Sequence, residues 1–365
     1  MMLAFCAGGT GGHIYPALAV AQSLPEAQVL FVGSDQRLEA QLVQAHGHAF
    51  YGFPIRRGHP GSWVSACGPV MRLFQEKKVT ALLCFGGYVC LAAFIAAHML
   101  DIPVILHEQN KVLGRFNRAL APWARRLCLS FPDTRGAERL MHQTVTGCPV
   151  RLTESAVLQS PSSDEAWMSA LDASQPLLLI MGGSQGAAFF NASVEWLLKN
   201  SAAFAGQILL ITGQGEWPAF AGGQAQGTQV FCVSQGVLRI VAVPYVHAME
   251  NLLTRCRMFV ARAGASTLAE MALYGIPGLV VPYPYATNFH QDANARHYQA
   301  GGSIAVLPQK GLLPDMLWKQ LGQLWQDSEK LKGMASAMRS MACPDAAQRV
   351  LECFRSVGIH GINAQ

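Results

Sequence analysis

Two stretches of this chain repeat one pattern. "MLAFCAGGTGGHIYPALAV", near the amino terminus, and "PLLLIMGGSQGAAFFN", near the midpoint, each run from an apolar segment through clustered glycines into a helix-like segment. An apolar run closed by a turn, without polar alternation, reads as a parallel strand buried on both faces. The glycines let backbone N–H groups approach an anion with no Cβ in the way, and the helix that follows turns its positive end toward the same point. Each copy is followed by further apolar runs set between helical patterns. These are "QVLFVGS", "ALLCFGG", "IPVILHE" and "RRLCLSF" after the first, and "QILLITGQGE", "VFCVS", "MFVARAG" and "PGLVVPYP" after the second. The prediction is an α/β chain of two Rossmann-like domains. Each is a doubly wound parallel sheet, and the two face a cleft at the carboxyl ends of their strands.

Residues 153–176, "TESAVLQSPSSDEAWMSALDASQP", are polar and Ser-rich and read as an interdomain linker. The expected domains are therefore residues 1–152 and 153–340. The amphipathic stretch after Pro344, within about 341–365, is expected to pack back on the first. A chain of 365 residues accommodates two such cores. A hydrophobic share of 51% with 13% charged residues excludes a disordered chain. The ten cysteines show neither CxxC pairs nor zinc-ligand spacing, so they read as free thiols of a reducing compartment, with no structural metal. Residues 1–30 lack the basic and apolar regions of a secretory signal. Residues 81–100 carry no formal charge and are long enough to span a bilayer. Gly86 and Gly87 interrupt them, so they read instead as a buried strand, a turn and a short helix. Charge is uneven: residues 1–152 hold 14 Lys/Arg against 8 Asp/Glu, and residues 153–365 hold 13 against 14. The basic half suits an anionic partner, although two solvated surfaces would give the same count.

Five stretches carry chemistry. In Gly8-Gly9-Thr10-Gly11-Gly12-His13 the spacing departs from G-x-G-x-x-G, so a diphosphate cradle is expected rather than a dinucleotide fingerprint. A plain strand-to-helix turn with a satisfied histidine is the simpler alternative. Gly182-Gly183-Ser184-Gln185-Gly186-Ala187 repeats the geometry, with a hydroxyl at Ser184. In residues 261–295, Gly264-Ala265-Ser266-Thr267 opens a helix whose amides form an anion site. Glu270, a turn further on, can accept two hydrogen bonds from a ribose diol, or can simply favour the helix dipole. Gln291, in "HQDANA", can donate and accept toward sugar hydroxyls. His107, Glu108, Gln109 and Asn110 follow "IPVIL" at a strand's carboxyl end, as a ligand rim or an ordinary polar loop. Residues 61–78 mix Trp63, Val64, Val70, Met71, Leu73 and Phe74 with Arg72, Lys77 and Lys78. That mixture suits an anionic membrane surface, or a core helix with a solvated end.

The stretches "GGTGGHIYPALAVA", "FGGYV", "HEQN", "TGCPVR", "GGSQGA", "AGASTLAE" and "HQDANA" follow one another over nearly the whole chain. Together they resemble the MurG family, the UDP-N-acetylglucosamine:undecaprenyl-diphospho-muramoyl-pentapeptide N-acetylglucosaminyltransferases of peptidoglycan synthesis. The resemblance implies a GT-B fold and an inverting transfer of GlcNAc from UDP-GlcNAc to the 4-hydroxyl of undecaprenyl-diphospho-MurNAc-pentapeptide, with no metal or other cofactor. It implies a peripheral protein on the cytoplasmic face of the bacterial cell membrane, meeting its anionic surface. Proteins of cell-wall synthesis or division would be partners, and nucleic acid would not. Carried over by motif, Thr10, Gly11, Gly12, Asn110, Arg151 and Ser184 contact the donor, and Val246 lies beside the uracil. Ala265, Ser266, Thr267, Leu268 and Glu270 hold the diphosphate and ribose, and Gln291 holds the GlcNAc. Gly86, Gly87, Tyr88, His107 and Glu108 stand on the acceptor side. His13 and Glu270 are the candidate catalytic pair. His13 acts as general base or positions the acceptor hydroxyl, since an imidazole is the side chain that exchanges protons near neutral pH.

Three departures from the family pattern stand out. "GGYVCLA", with Cys90, Leu91 and Ala92, replaces GGYVSGP, which bears on contacts to the acceptor diphosphate. Ala263 replaces a serine, and Ala188 an arginine. The competing readings are another UDP-GlcNAc enzyme of the same fold, such as a 2-epimerase, and a non-catalytic nucleotide-sugar-binding membrane scaffold. A dinucleotide oxidoreductase ranks last.

Overall fold

Side chains alternate across the amino-terminal sheet, which explains why its strands read as unbroken apolar runs. Leu3 and Phe5 enter one core and Ala4 and Cys6 the other, so the strand is buried from Leu3 to Cys6 on both faces. The computed structural model describes residues 1–8, 11–24, 28–35, 37–150, 165–183, 186–200, 204–213, 231–235, 238–246 and 249–359. They fall into two units, Met1–Ser155 with Cys343–Gln365, and Ala156–Ala342.

The first unit's strands are β1 (Met2–Cys6), β2 (Gln28–Ser34), β3 (Ala49–Phe53), β4 (Val79–Cys84), β5 (Val104–Glu108), β6 (Arg126–Leu129) and β7 (Gln143–Val145). They lie in the order β3-β2-β1-β4-β5-β6-β7, all parallel. The helices are α1 (Gly11–Gln22), α2 (Arg37–Ala45), α3 (Pro60–Glu76), α4 (Cys90–Met99) and α5 (Arg115–Leu120). Ile14, Ala17, Leu18 and Ala21 of α1 cover one face, and Val70 and Phe74 of α3 with Ala93 and Ala97 of α4 cover the other. Residues 81–100 divide into β4, a turn through Gly86 and Gly87, and α4. Among the described residues no helix is long and apolar enough to cross a membrane.

The second unit contains α6 (Glu165–Met168), β8 (Leu177–Met181), α7 (Ala188–Asn200), β9 (Gly206–Ile211), β10 (Phe231–Gln235), β11 (Leu238–Val243), α8 (Met249–Leu253), β12 (Cys256–Ala261), α9 (Ala265–Tyr274), β13 (Gly278–Val280), α10 (His290–Ala300), β14 (Ile304–Val306), α11 (Pro314–Gln326) and α12 (Ser328–Ser340). Its sheet runs β10-β11-β9-β8-β12-β13-β14, parallel except for β10 against β11. The polar stretch read as a linker ends earlier than its composition suggested. Trp167 and Leu171 are buried, and the Gln207 amide donates to the carbonyls of Asp172 and Gln175. Residues 153–164 of that stretch lie outside the described residues.

The last helix, α13 (Ala346–Ser356), returns to the first unit. Val350, Leu351 and Phe354 share a core with α1. In both sheets the order reverses beside the first strand, between β1 and β4 and between β8 and β12. Such switch points open crevices at the strands' carboxyl ends, and both Gly-rich loops sit there.

Candidate active site

In the first unit the site is built where β1 and β4 diverge. β1 ends at Cys6, and α1 begins at Gly11 with His13 in its first turn. Thr10 lies outside the described residues. The half-buried His13 places Nδ1 2.9 Å from the Gly8 carbonyl oxygen. A carbonyl can only accept, so in the neutral ring Nδ1 carries the proton and Nε2 keeps its lone pair. The next loop closes over this ring. A Cβ on Gly86 would lie 3.7 Å from His13 Nε2, and one on Gly87 would lie 2.9 Å from the Gly8 oxygen. Gly87 has φ of 88°, so both conformation and space select glycine there. Tyr88 is half-buried at the same turn. Cys90, the departure from the family pattern, turns inward: its buried thiol donates to the Gly86 carbonyl at 3.1 Å. The substitution therefore braces the turn from beneath.

His107 and Glu108 do not form the rim expected of them; they are 0% and 3% exposed. Glu108 gathers the loop after β5. One carboxylate oxygen accepts from the N–H and the side-chain amide of Asn110, and the other from the Gly114 N–H at 2.8 Å and the Asn117 amide at 2.9 Å. Gly114 has no side chain to cap α5, so the carboxylate does so. His107 donates from Nε2 to the Gly147 carbonyl at 3.1 Å and accepts at Nδ1 from the Gln109 amide. Asn110, half-buried, remains at the rim.

Asn117 was not foreseen. Its amide nitrogen ties the His107 carbonyl to Glu108, and its Oδ1 is buried with no hydrogen-bond partner among the described residues. That oxygen would lie 3.6 Å from a Cβ on Gly86, at the His13 turn. Only its place on the helix after "HEQN" could have signalled it.

Burial lowers the His107 pKa to about 4, with the Gly147 carbonyl acting the other way. The unfolded chain therefore takes up a proton below about 6.5 that the folded chain refuses. Stability falls as pH drops from about 6.5 toward the folded value, by about 3 kcal/mol in all. Thermal unfolding followed across that window should show the loss, and His107→Gln should remove most of it.

In the second unit the matching loop leaves β8. Gly186 has φ of 74°, and a Cβ there would collide with the Thr212 carbonyl oxygen, so the loop packs directly on the end of β9. Ser184 and Arg151 lie outside the described residues. Across the switch, β12 leads through Arg262 and Ala263 to Gly264, the N-cap of α9, which has no side chain of its own to cap the helix. The amides of Ala265, Ser266 and Thr267 stand at that helix end, where an anion is favoured. Ser266, Thr267 and Glu270 are half-buried, whereas the Leu268 side chain is wholly buried and can offer a ligand only its backbone. Val246 is also buried.

Gln291 has a fixed orientation. Its Oε1 accepts from the N–H groups of Ala263 at 3.2 Å and Tyr283 at 2.9 Å, so its outward function is to donate from Nε2. Asn294 completes the clamp by donating to the Ala263 carbonyl. Arg262 is a second residue that sequence reasoning missed. Its buried guanidinium lies between the rings of Phe190, at 5.1 Å, and Tyr283, at 5.5 Å, and donates to the Val281 carbonyl. No carboxylate among the described residues forms an ion pair with it. It places a positive charge at the carboxyl ends of β12 and β13.

Comparison with known proteins extends this picture. Residues 3–128 match the Glycosyltransferase family 28 N-terminal domain, and residues 177–350 match the Glycosyltransferase family 28 C-terminal domain. The UDP-N-acetylglucosamine--N-acetylmuramyl-(pentapeptide) pyrophosphoryl-undecaprenol N-acetylglucosamine transferase of Synechococcus elongatus is 34% identical, over 97% of this chain and 98% of its own. The crystal structure of MurG from Acinetobacter baumannii superimposes with a TM-score of 0.74 at 29% identity, over 97% of this chain and 99% of that one. A UDP-GlcNAc 2-epimerase from Neisseria meningitidis, bound to UDP-GlcNAc, superimposes with a TM-score of 0.66 at 15% identity, over 98% of this chain and 100% of that one. That last likeness speaks for the fold alone.

Proposed function

The chain belongs to glycosyltransferase family 28, and from that premise we propose that it transfers GlcNAc from UDP-GlcNAc to the 4-hydroxyl of a lipid-linked diphospho-muramoyl-pentapeptide. One observation carries the chemistry: His13 is oriented by Gly8 so that the Nε2 lone pair is available beside the Gly86 turn. Nε2 takes the proton of the acceptor hydroxyl as that oxygen attacks the sugar's anomeric carbon. The bond to UDP breaks on the opposite face, which inverts the configuration. Charge then develops on the leaving diphosphate, and the amide end of α9, with Arg262 behind it, is suited to stabilise it. Glu270 accepts from the ribose diol and Gln291 donates to a sugar oxygen. UDP release measured together with NMR of the nucleotide sugar tests this reading against the epimerase: the transferase releases UDP only when the lipid acceptor is present, whereas an epimerase inverts C2 of UDP-GlcNAc without any acceptor.

Gln291→Glu isolates the donor role. The variant can still accept from Ala263 and Tyr283 but has lost Nε2 as a donor. KM for UDP-GlcNAc should rise by roughly tenfold, with thermal stability little changed.

The acceptor is a membrane lipid, so the protein acts as a peripheral protein at the cytoplasmic membrane face. α3 supports this. Val70, Leu73 and Phe74 belong to the core, but Val64 is 70% exposed and Trp63 stacks edge-on against Phe116. The exposed Arg57 and Arg115 flank this surface in sequence. Val64→Glu should weaken sedimentation with anionic vesicles several-fold while leaving turnover on a detergent-dispersed short-chain acceptor unchanged.

A further inference from the structure

The stretch joining β13 to α10, residues 281–289, carries a group of exposed aromatic side chains. Tyr285 is 81% exposed and Phe289 66%, and Tyr283 is exposed beside them. Among the described residues of the second unit no other aromatic side chain is exposed. Tyr283 and Tyr285 meet edge to face, with ring centroids 5.7 Å apart. Phe289 stands in the left-handed region, at φ of 53° and ψ of 31°, directly after Asn288 at φ of 54°. That conformation suits asparagine and strains a residue with a bulky side chain. Local folding accounts neither for the strained backbone nor for the rings that face water, since an asparagine would fit the turn better and expose less apolar surface.

This stretch is tied to Gln291. Tyr283 donates its N–H to Gln291 Oε1 at 2.9 Å, and its ring lies 5.5 Å from the Arg262 guanidinium. The Ala286 N–H donates to the Tyr283 carbonyl and the Phe289 N–H to the Ala286 carbonyl, which folds the residues between into two successive turns. The aromatic group therefore begins one hydrogen bond from Gln291 and ends two residues before it in the chain.

We propose that Tyr285 and Phe289 form an aromatic platform on which the pyranose ring of the donor sugar stacks. The proposal rests on the reading of UDP-GlcNAc as donor and of Gln291 as its sugar contact. A GlcNAc ring in its chair form turns axial C–H groups to its faces and carries most of its polar groups around its edge. Those C–H groups meet the negative face of an aromatic ring, and water leaves both surfaces. Gln291, left with Nε2 as its outward donor, serves the edge of the sugar and cannot hold its face. The two kinds of contact together fix the tilt of the ring as well as its position, which an in-line displacement at the anomeric carbon requires.

The test is titration calorimetry of the full chain with UDP-GlcNAc and, separately, with UDP. Phe289→Asn and Tyr285→Ser should each weaken UDP-GlcNAc binding by roughly threefold to tenfold and leave UDP binding unchanged. Phe289→Tyr should keep the wild-type affinity for both. The Tm of Phe289→Asn should equal or exceed that of the wild type, because asparagine enters the left-handed region more readily, so lost affinity is not lost fold. Unchanged UDP-GlcNAc affinity in either weakened variant, or an equal loss for UDP, overturns the proposal. Unchanged affinity together with weaker sedimentation on anionic vesicles overturns it too and assigns the aromatic group to the membrane. The readout needs no lipid acceptor, so a failed stack and a failed transfer reaction show in different experiments. A wild type that does not bind UDP-GlcNAc at all overturns the donor reading, and this proposal with it.

Discussion

His13→Ala should lower kcat by about 10²–10⁴-fold, the range general-base catalysis supplies. KM for UDP-GlcNAc should change little, because the imidazole serves the acceptor hydroxyl. The fold should tolerate the change, since the half-buried bond to the Gly8 carbonyl is worth about 1 kcal/mol. His13→Asn separates two roles the ring could have. Its amide can still donate to the Gly8 oxygen and hold the turn, but it has no basic nitrogen. Steady-state kinetics on both variants should find them similarly impaired if Nε2 takes the proton. If His13→Asn recovers most of the turnover, the ring only positions its neighbours.

Glu108→Ala should be the most destabilising single change in the first unit's site, at about 3–5 kcal/mol. It removes a buried acceptor from two backbone N–H groups and two side-chain amides at once, and water cannot easily replace it at 3% exposure. α5 also loses the carboxylate at its first turn. Thermal unfolding should record a fall in Tm of many degrees, and Asn110 and Asn117 should lose their alignment with it. Glu108→Gln should fall between wild type and alanine, because its amide nitrogen must face N–H donors. A Tm within a degree or two of wild type for the alanine variant would mean that the loop is held by something else.

Much of this could be read from the sequence because buried parallel strands advertise themselves. "MLAFC", "LLLIM" and "MFVA" are apolar throughout, and each ends at a glycine or polar turn. The edge strands β3, β7 and β14 escaped that reading. β7 and β14 are only three residues long, and β3 alternates exposed Gly52 with half-buried aromatics. β11 was missed although "LRIVAV" is apolar apart from the exposed Arg239, because its pairing with antiparallel β10 is a property of the sheet and not of the segment.

At the site, local spacing pointed to His13 and Gln291, but only three-dimensional contacts define what they can do. Nothing in "HQDANA" says that Gln291 spends its oxygen on two backbone amides. "HEQN" read as four polar residues suited to a rim, whereas folding turns the first three inward to build the support and leaves Asn110 half-buried. Arg262 and Asn117 were silent for the same reason: an arginine beside a helix start, or an asparagine within a helix, gains meaning from what it faces.

The most direct measurement is the structure of the product. Isotopically labelled UDP-GlcNAc and a short-chain lipid-diphospho-muramoyl-pentapeptide are incubated with the full chain in EDTA, and the new glycosidic bond is read by NMR. The account predicts a β-(1→4) linkage to the muramoyl sugar, inverted from the α-linked donor, formed at an undiminished rate with EDTA present. An α-linked product, or UDP-GlcNAc consumed with no label in the lipid acceptor, would contradict it.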